Sequence, residues 1–162
     1  MAINYTIEKH GVGFPSKCLA TTGGKHIYNI LLSEAVDNSW FVGKGAWQSL
    51  DLYAEAAPTS VAAKVVGKAA NGNFYVEIIS TSNALFVYTV PMIAEDFTNK
   101  FKAEYNFYNA SGDVARAYEL APGDIVEISA EGFDGTVAVG DALELTAITG
   151  VTYAQQLTKD AG

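Results

Sequence analysis

Two histidines, one cysteine and a handful of acids beside glycines are the side chains here with the most chemistry to offer. His10 and His26 are the only imidazoles in the chain. Imidazole titrates near neutral pH and is a common metal ligand, but a metal site needs three or four ligands held together. His10 precedes Gly11 and His26 follows Gly23-Gly24. The two could meet in space, yet carboxylates would have to join them, so each reads as a solvated or hydrogen-bonded residue. Cys18 is the one cysteine. It has no disulfide partner and no thiol at metal-site spacing, and reads as a small buried apolar side chain in a strand. A free thiol fits synthesis in a reducing cytoplasm.

The notable acids are Glu95-Asp96, Asp113, Asp124, Asp134 and Asp141. A calcium loop places acids at every second residue around a glycine, and these do not follow that rule. Asp124 and Asp141 each follow a glycine at a turn, where a carboxylate accepts from backbone N–H groups. The chain has no Gly-x-Ser-x-Gly elbow, no phosphate loop and no His-Glu-x-x-His. Gly11-Val12-Gly13 neither follows a strand nor opens a helix, as a dinucleotide motif requires. These readings predict a protein without catalysis and without a cofactor.

Two stretches carry side chains suited to a partner. Tyr105-Asn106-Phe107-Tyr108-Asn109 mixes rings and amides. Such a run can stack on a sugar or a protein surface, or form an edge strand with Tyr105 and Phe107 packed inward on one face. Near the N-terminus Ile3, Tyr5 and Ile7 alternate, followed by Phe14. An extended strand of this kind can add to a partner's sheet edge or complete the chain's own sheet. The candidate partner-binding residues are therefore Ile3, Tyr5, Ile7, Phe14, Tyr105, Phe107 and Tyr108.

Net charge is −8 in 162 residues, with no basic cluster denser than Lys64 and Lys68. That sign repels a phosphate backbone and argues against nucleic acid. No apolar run approaches the roughly 20 residues of a membrane helix, and the first ten residues lack the form of a signal peptide. The composition predicts a soluble globular domain.

The elements that must position these residues are mostly strands. Residues 1–15 read as an N-terminal arm, 16–150 as one β-rich domain and 151–162 as a polar, frayed tail. A short strand is expected near Cys18–Thr21, a second over Ile27–Leu32 and a third at Trp40–Val42. Trp47, Leu50 and Ala54 fit a helix, while Leu50 and Leu52 alternate as in a strand. Ala54–Thr59 reads as a loop. Val61–Ala70 and Phe74–Ser80 flank Asn71-Gly72, a two-residue hairpin signal. Apolar residues on both faces of the second run suggest a central or doubly covered strand. Ala84–Val90 follows, then a short helix over 93–101. Val114–Leu120 and Ile125–Ser129 flank Ala121-Pro122-Gly123-Asp124, which has the type II pattern of Pro then Gly, and so predict a second hairpin. Ala142–Ile148 is the last strand. The fold expected is mainly β: a small antiparallel β-sandwich or barrel with one short helix.

Two segments carry a family likeness. One runs from Leu52-Tyr53-Ala54-Glu55-Ala56-Ala57-Pro58 through Ala70-Asn71-Gly72-Asn73-Phe74-Tyr75-Val76-Glu77 to Val87-Tyr88-Thr89-Val90-Pro91. The other runs from Asn106-Phe107-Tyr108-Asn109 through Arg116-Ala117-Tyr118-Glu119-Leu120-Ala121-Pro122-Gly123-Asp124-Ile125-Val126-Glu127-Ile128-Ser129. Over about residues 50–145 the chain resembles structural proteins of tailed-bacteriophage virions, and capsid decoration (cement) proteins most. The resemblance implies a structural protein made in the host cytoplasm. It would bind the major capsid protein on the virion's capsid surface, where copies could meet as a homo-oligomer on the lattice. Tail and head-tail connector proteins share most of these features. A carbohydrate- or receptor-binding β module is the alternative of a different class.

Overall fold

The computed structural model describes residues 9–22, 26–91 and 107–162. Among them lie twelve strands: β1 (Gly13–Lys17), β2 (Ile27–Leu31), β3 (Phe41–Ser49), β4 (Leu52–Ala56), β5 (Ser60–Lys68), β6 (Phe74–Ser82), β7 (Leu85–Val87), β8 (Val114–Glu119), β9 (Ile125–Ile128), β10 (Phe133–Asp134), β11 (Ala142–Ala147) and β12 (Gln155–Lys159). They hydrogen-bond in the order β1-β9-β6-β5-β11-β12-β3-β4-β2-β8-β7. The mainly β expectation holds. Most pairings are antiparallel; β2 with β4 and β10 with β12 are parallel. The short helix expected over 93–101 lies outside the described residues.

A further pairing, β3 with β7, closes β3-β4-β2-β8-β7 into a five-stranded ring. Closure removes the free edges of these strands. The register of β3 on β7 explains how two cores form around one wall. Val42 opposes Leu85, and both belong to a cluster with Ile30, Leu32, Val87, Ala115 and Ala117. Phe41 opposes Phe86, and both belong to a second cluster with Val65, Val76, Ile78, Val126 and Leu157. Successive residues of a strand point to opposite faces, so β7 and the first residues of β3 are buried on both sides. The rings of Phe41 and Phe86 meet edge to face at 5.6 Å.

Three Ala-x-Gly-Asp turns clip loops onto strands: Ala110–Asp113, Ala121–Asp124 and Ala138–Asp141. In each, the Asp N–H donates to the Ala carbonyl and the Ala N–H donates to the Asp carboxylate. In each, the glycine sits at positive φ, between +88° and +97°, a conformation that costs other residues strain. The glycine N–H and the Asp carbonyl then grip one residue of a neighbouring segment: Leu32, Ile78 and Val65 respectively.

Several expectations need correction. The turn at Pro122-Gly123 has its type II form, but it makes no hairpin. β8 pairs with β2 and β7 in the ring, while β9 pairs with β1 and β6. The turn spans two layers, and local turn chemistry does not encode that. Asn71-Gly72 does join the antiparallel pair β5 and β6. The loop is longer than two residues, however, closing through Ala69 N–H to the Asn73 carbonyl, with Gly72 at positive φ. β6 is central, but its outer face is not covered, for Ile79 is 54% exposed. Ser82 and Asn83 lead from β6 to β7 without pairing them, since β7 bonds to β3 and β8.

Cys18–Thr21 is not a strand. The chain turns there, with Thr21 donating from its N–H and hydroxyl to the Cys18 carbonyl, and Leu19–Thr22 is a 3-10 turn. The helix alternative at 47–54 fails, and Leu52–Ala56, half expected as loop, is β4. The arm ends early: Gly13–Lys17 pairs with β9. Residues 1–8 lie outside the described residues. The polar tail is no tail. β12 lies between β11 and β3, with Leu157 fully buried. Its polar residues misled because a strand covered on one face needs only alternate apolar positions.

Candidate functional site

Of the residues expected to bind a partner, Ile3, Tyr5, Ile7 and Tyr105 lie outside the described residues. Phe14, half-buried in β1, packs its ring against Tyr88 at 5.7 Å. Phe107 is half-buried. Tyr108 is exposed and stacks on His10 at 4.8 Å. Phe14 and Tyr108 thus serve different neighbours and do not form one aromatic platform.

His10 brings a carboxylate with it. Its Nδ1 lies 2.7 Å from Asp37 Oδ1, while Asp37 Oδ2 accepts from the Gly11 N–H. Both line a cavity of about 470 Å³ with Glu34, Trp40, Tyr108 and Val151. A His–Asp pair near Ser39 invites comparison with a hydrolytic triad, but Ser39 does not complete one. Its hydroxyl is fully buried and hydrogen-bonds to nothing. Gly11, Gly13 and Gly132 crowd it so closely that a Cβ on any of them would lie within 2.8 Å of a Ser39 atom or clash with another neighbour. His26, in turn, sits 3.1 Å from Glu119. The two imidazoles have separate carboxylate partners. Among the described residues no three His, Cys, Asp or Glu side chains are grouped to hold a metal ion.

Cys18 is buried, as expected, though outside a strand. Burial, with the nearby Asp124 charge, pushes its thiol up to about 12. Such a thiol is inert at neutral pH, since the thiolate is the nucleophile.

One end of the ring is an open, polar mouth. Tyr28 of β2 and Tyr53 of β4 meet edge to face at 5.5 Å. The Lys44 ammonium of β3 lies over both rings, 4.5 Å from the first and 5.1 Å from the second. The Tyr28 hydroxyl donates to Glu119 across the mouth. Burial first, then this bond to a carboxylate, raises the Tyr28 phenol above its ordinary value. Asn83 accepts from the Lys44 backbone N–H at 3.2 Å. Tyr28, Lys44, Asn83 and Glu119, with Thr81 and Leu120, line a cavity of about 240 Å³.

The β3–β4 hairpin that carries Lys44 ends in an unusual tip. Leu50 and Asp51, the two residues between paired Ser49 and Leu52, sit at φ +43° and +65°. Both central residues at positive φ is the type I′ hairpin geometry, which favours Asn-Gly. Leucine there is strained by on the order of 1 kcal/mol. It gains nothing from burial, being 94% exposed, and Trp47 on the same hairpin is 63% exposed. Sequence reasoning missed both residues. The signal available was two apolar side chains bracketing a strand end, and it was absorbed by the choice between helix and strand.

Compared with protein-family models, with curated proteins and with solved structures, the chain matches none. Function has to be argued from the surfaces themselves.

Proposed function

We propose that this chain is a non-catalytic assembly protein that docks on a protein shell through the tip of the β3–β4 hairpin. The observation that carries the reading is Leu50. A strained, almost fully exposed leucine on the same hairpin as an exposed tryptophan contributes little to folding. Exposed apolar side chains favour an interface, and tryptophan is over-represented among residues that dominate interface energies. The strand-rich, ring-closed body supplies a rigid mount. Acidity keeps the protein dispersed when many copies crowd one surface.

The shell is proposed from the resemblance of residues 50–145: the outer capsid surface of a tailed phage, with the major capsid protein as partner. Co-sedimentation with purified expanded phage capsids tests it. Wild type should pellet with capsids, and Trp47→Ser with Leu50→Asn should stay in the supernatant with an undiminished melting temperature. Wild type remaining in solution defeats the capsid reading. Both proteins pelleting equally defeats the tip.

A second reading, a glycan- or receptor-binding module, is favoured by the stacked Tyr108 and His10 beside Trp40 in the larger cavity. Retention on immobilised glycans, lost in Tyr108→Ala, would support it.

A further inference from the structure

We infer that the open mouth of the five-stranded ring is a binding site for a small hydroxylated carboxylate, the chemistry of a sugar acid, with Lys44 as the residue that takes the carboxylate.

Among the described residues the Lys44 ammonium has no anion at ion-pair distance. Lys44 is directly opposite Glu55 in the register of β3 on β4, the arrangement in which opposite charges ordinarily pair. They do not pair here. Glu55 turns away to accept from the N–H and hydroxyl of Ser33, and Lys44 lies over the two tyrosine rings instead. An ammonium held on π faces still has N–H donors to offer a ligand. What sets Lys44 apart is its place: it lies over two rings at the rim of a concave mouth, where an incoming anion can reach it.

The rest of the mouth fits the remainder of such a ligand. The Asn83 carbonyl is engaged by the Lys44 N–H, so its NH₂ is the end left to donate. On the opposite rim Glu119 accepts from Tyr28 and faces His26, and its remaining lone pairs suit hydroxyl donors. Donors on one side, an acceptor on the other and ring edges between them are the elements that orient a hydroxylated ring. The enclosed 240 Å³ has room for one such ring, not for a chain. The mouths of β-barrels are common places for small ligands. This inference stands apart from docking on a capsid, since it uses neither Trp47 nor Leu50.

Titration of the ¹⁵N-labelled full chain with glucuronate, glucose and acetate, followed by amide shifts, tests it. Glucuronate should move the amides of Tyr28, Lys44, Asn83 and Glu119 together in a saturable way. Glucose and acetate should each bind about tenfold more weakly or worse. Lys44→Met keeps the aliphatic stem over the rings and so keeps the melting temperature, but should remove the preference for glucuronate over glucose. Equal binding of glucose and glucuronate overturns the role of Lys44. Acetate binding as tightly as glucuronate overturns the hydroxylated ligand. Absence of any saturable shift at the mouth overturns the site.

Discussion

Asp124 and Asp141 occupy the same place in two copies of one turn, and those copies hold adjacent strands. The backbone of Asp124 and Gly123 grips Ile78 of β6, and that of Asp141 and Gly140 grips Val65 of β5. Asp124 does more: its second oxygen accepts from the Leu19 N–H, tying in the 3-10 turn after β1. Asp124→Ala should therefore be the more damaging change. It strands two part-buried N–H groups, at a cost of about 1–3 kcal/mol, readable by urea denaturation. Equal losses for Asp124→Ala and Asp141→Ala would show that the Leu19 bond carries nothing.

Asp141 has a pH signature of its own. The Ala138 N–H, and then Lys159, hold its carboxyl below the ordinary carboxylate range. A depressed folded pKa contributes stability that is present above the unfolded pKa, near 4, and is lost as pH falls through the folded value. Melting temperatures from pH 6 to pH 3 should fall more steeply for wild type than for Asp141→Asn.

Glu55 runs the other way. It is only 8% exposed, and its Oε1 has no hydrogen-bond partner. Burial raises its carboxyl above the usual range despite the two bonds from Ser33. A raised folded pKa contributes stability that is complete below the unfolded pKa and lost as pH rises through the folded one. Glu55→Gln, which preserves an acceptor for Ser33, should melt higher than wild type at pH 8 and lose that advantage at pH 4. An advantage independent of pH would show that ionisation of Glu55 is not its source.

Cys18 should resist modification until the protein opens. With the thiol at about 12 and buried, iodoacetamide at pH 8 should label it in denaturant and leave it intact in buffer. Labelling in buffer at the denatured rate would contradict its placement.

The last strand should be indispensable. Leu157 is fully buried between β11 and the short β10. Leu157→Ala should cost about 2–5 kcal/mol, and a chain ending at residue 150 should not fold. A truncated protein with native circular dichroism would restore the frayed tail.

The tip of β3–β4 offers the converse experiment. Replacing Leu50-Asp51 with Asn-Gly supplies the pair that type I′ geometry favours, and should raise stability by about 1 kcal/mol while abolishing co-sedimentation. A fall in melting temperature would mean that Leu50 serves the fold.

The sequence by itself determined what is local. Alternating apolar runs mark the long β5 and β6, because a strand's side chains address one face at every second residue. Glycine followed by aspartate marks the turns at 123–124 and 140–141, because only that geometry needs both a positive φ and a short acceptor. The apolar alternation at 3–7 and the aromatic run at 105–109 are legible as chemistry, though not as a site. Tertiary structure decided everything that depends on which strand meets which. β8 and β9 flank an ideal turn and yet join different neighbours, because burying two cores against the shared wall of Phe41, Val42, Leu85 and Phe86 outweighs pairing across the turn. The two-residue hairpin with both positions at positive φ falls at Leu50-Asp51 and not at Asn71-Gly72, since the pairing of β3 with β4 in the closed ring fixes the first, while the β5–β6 loop closes one step further out, through Ala69 and Asn73. Lys44, one of ten basic residues and undistinguished in the chain, acquires its place over Tyr28 and Tyr53 only when β2 and β4 lie parallel and the ring closes around them.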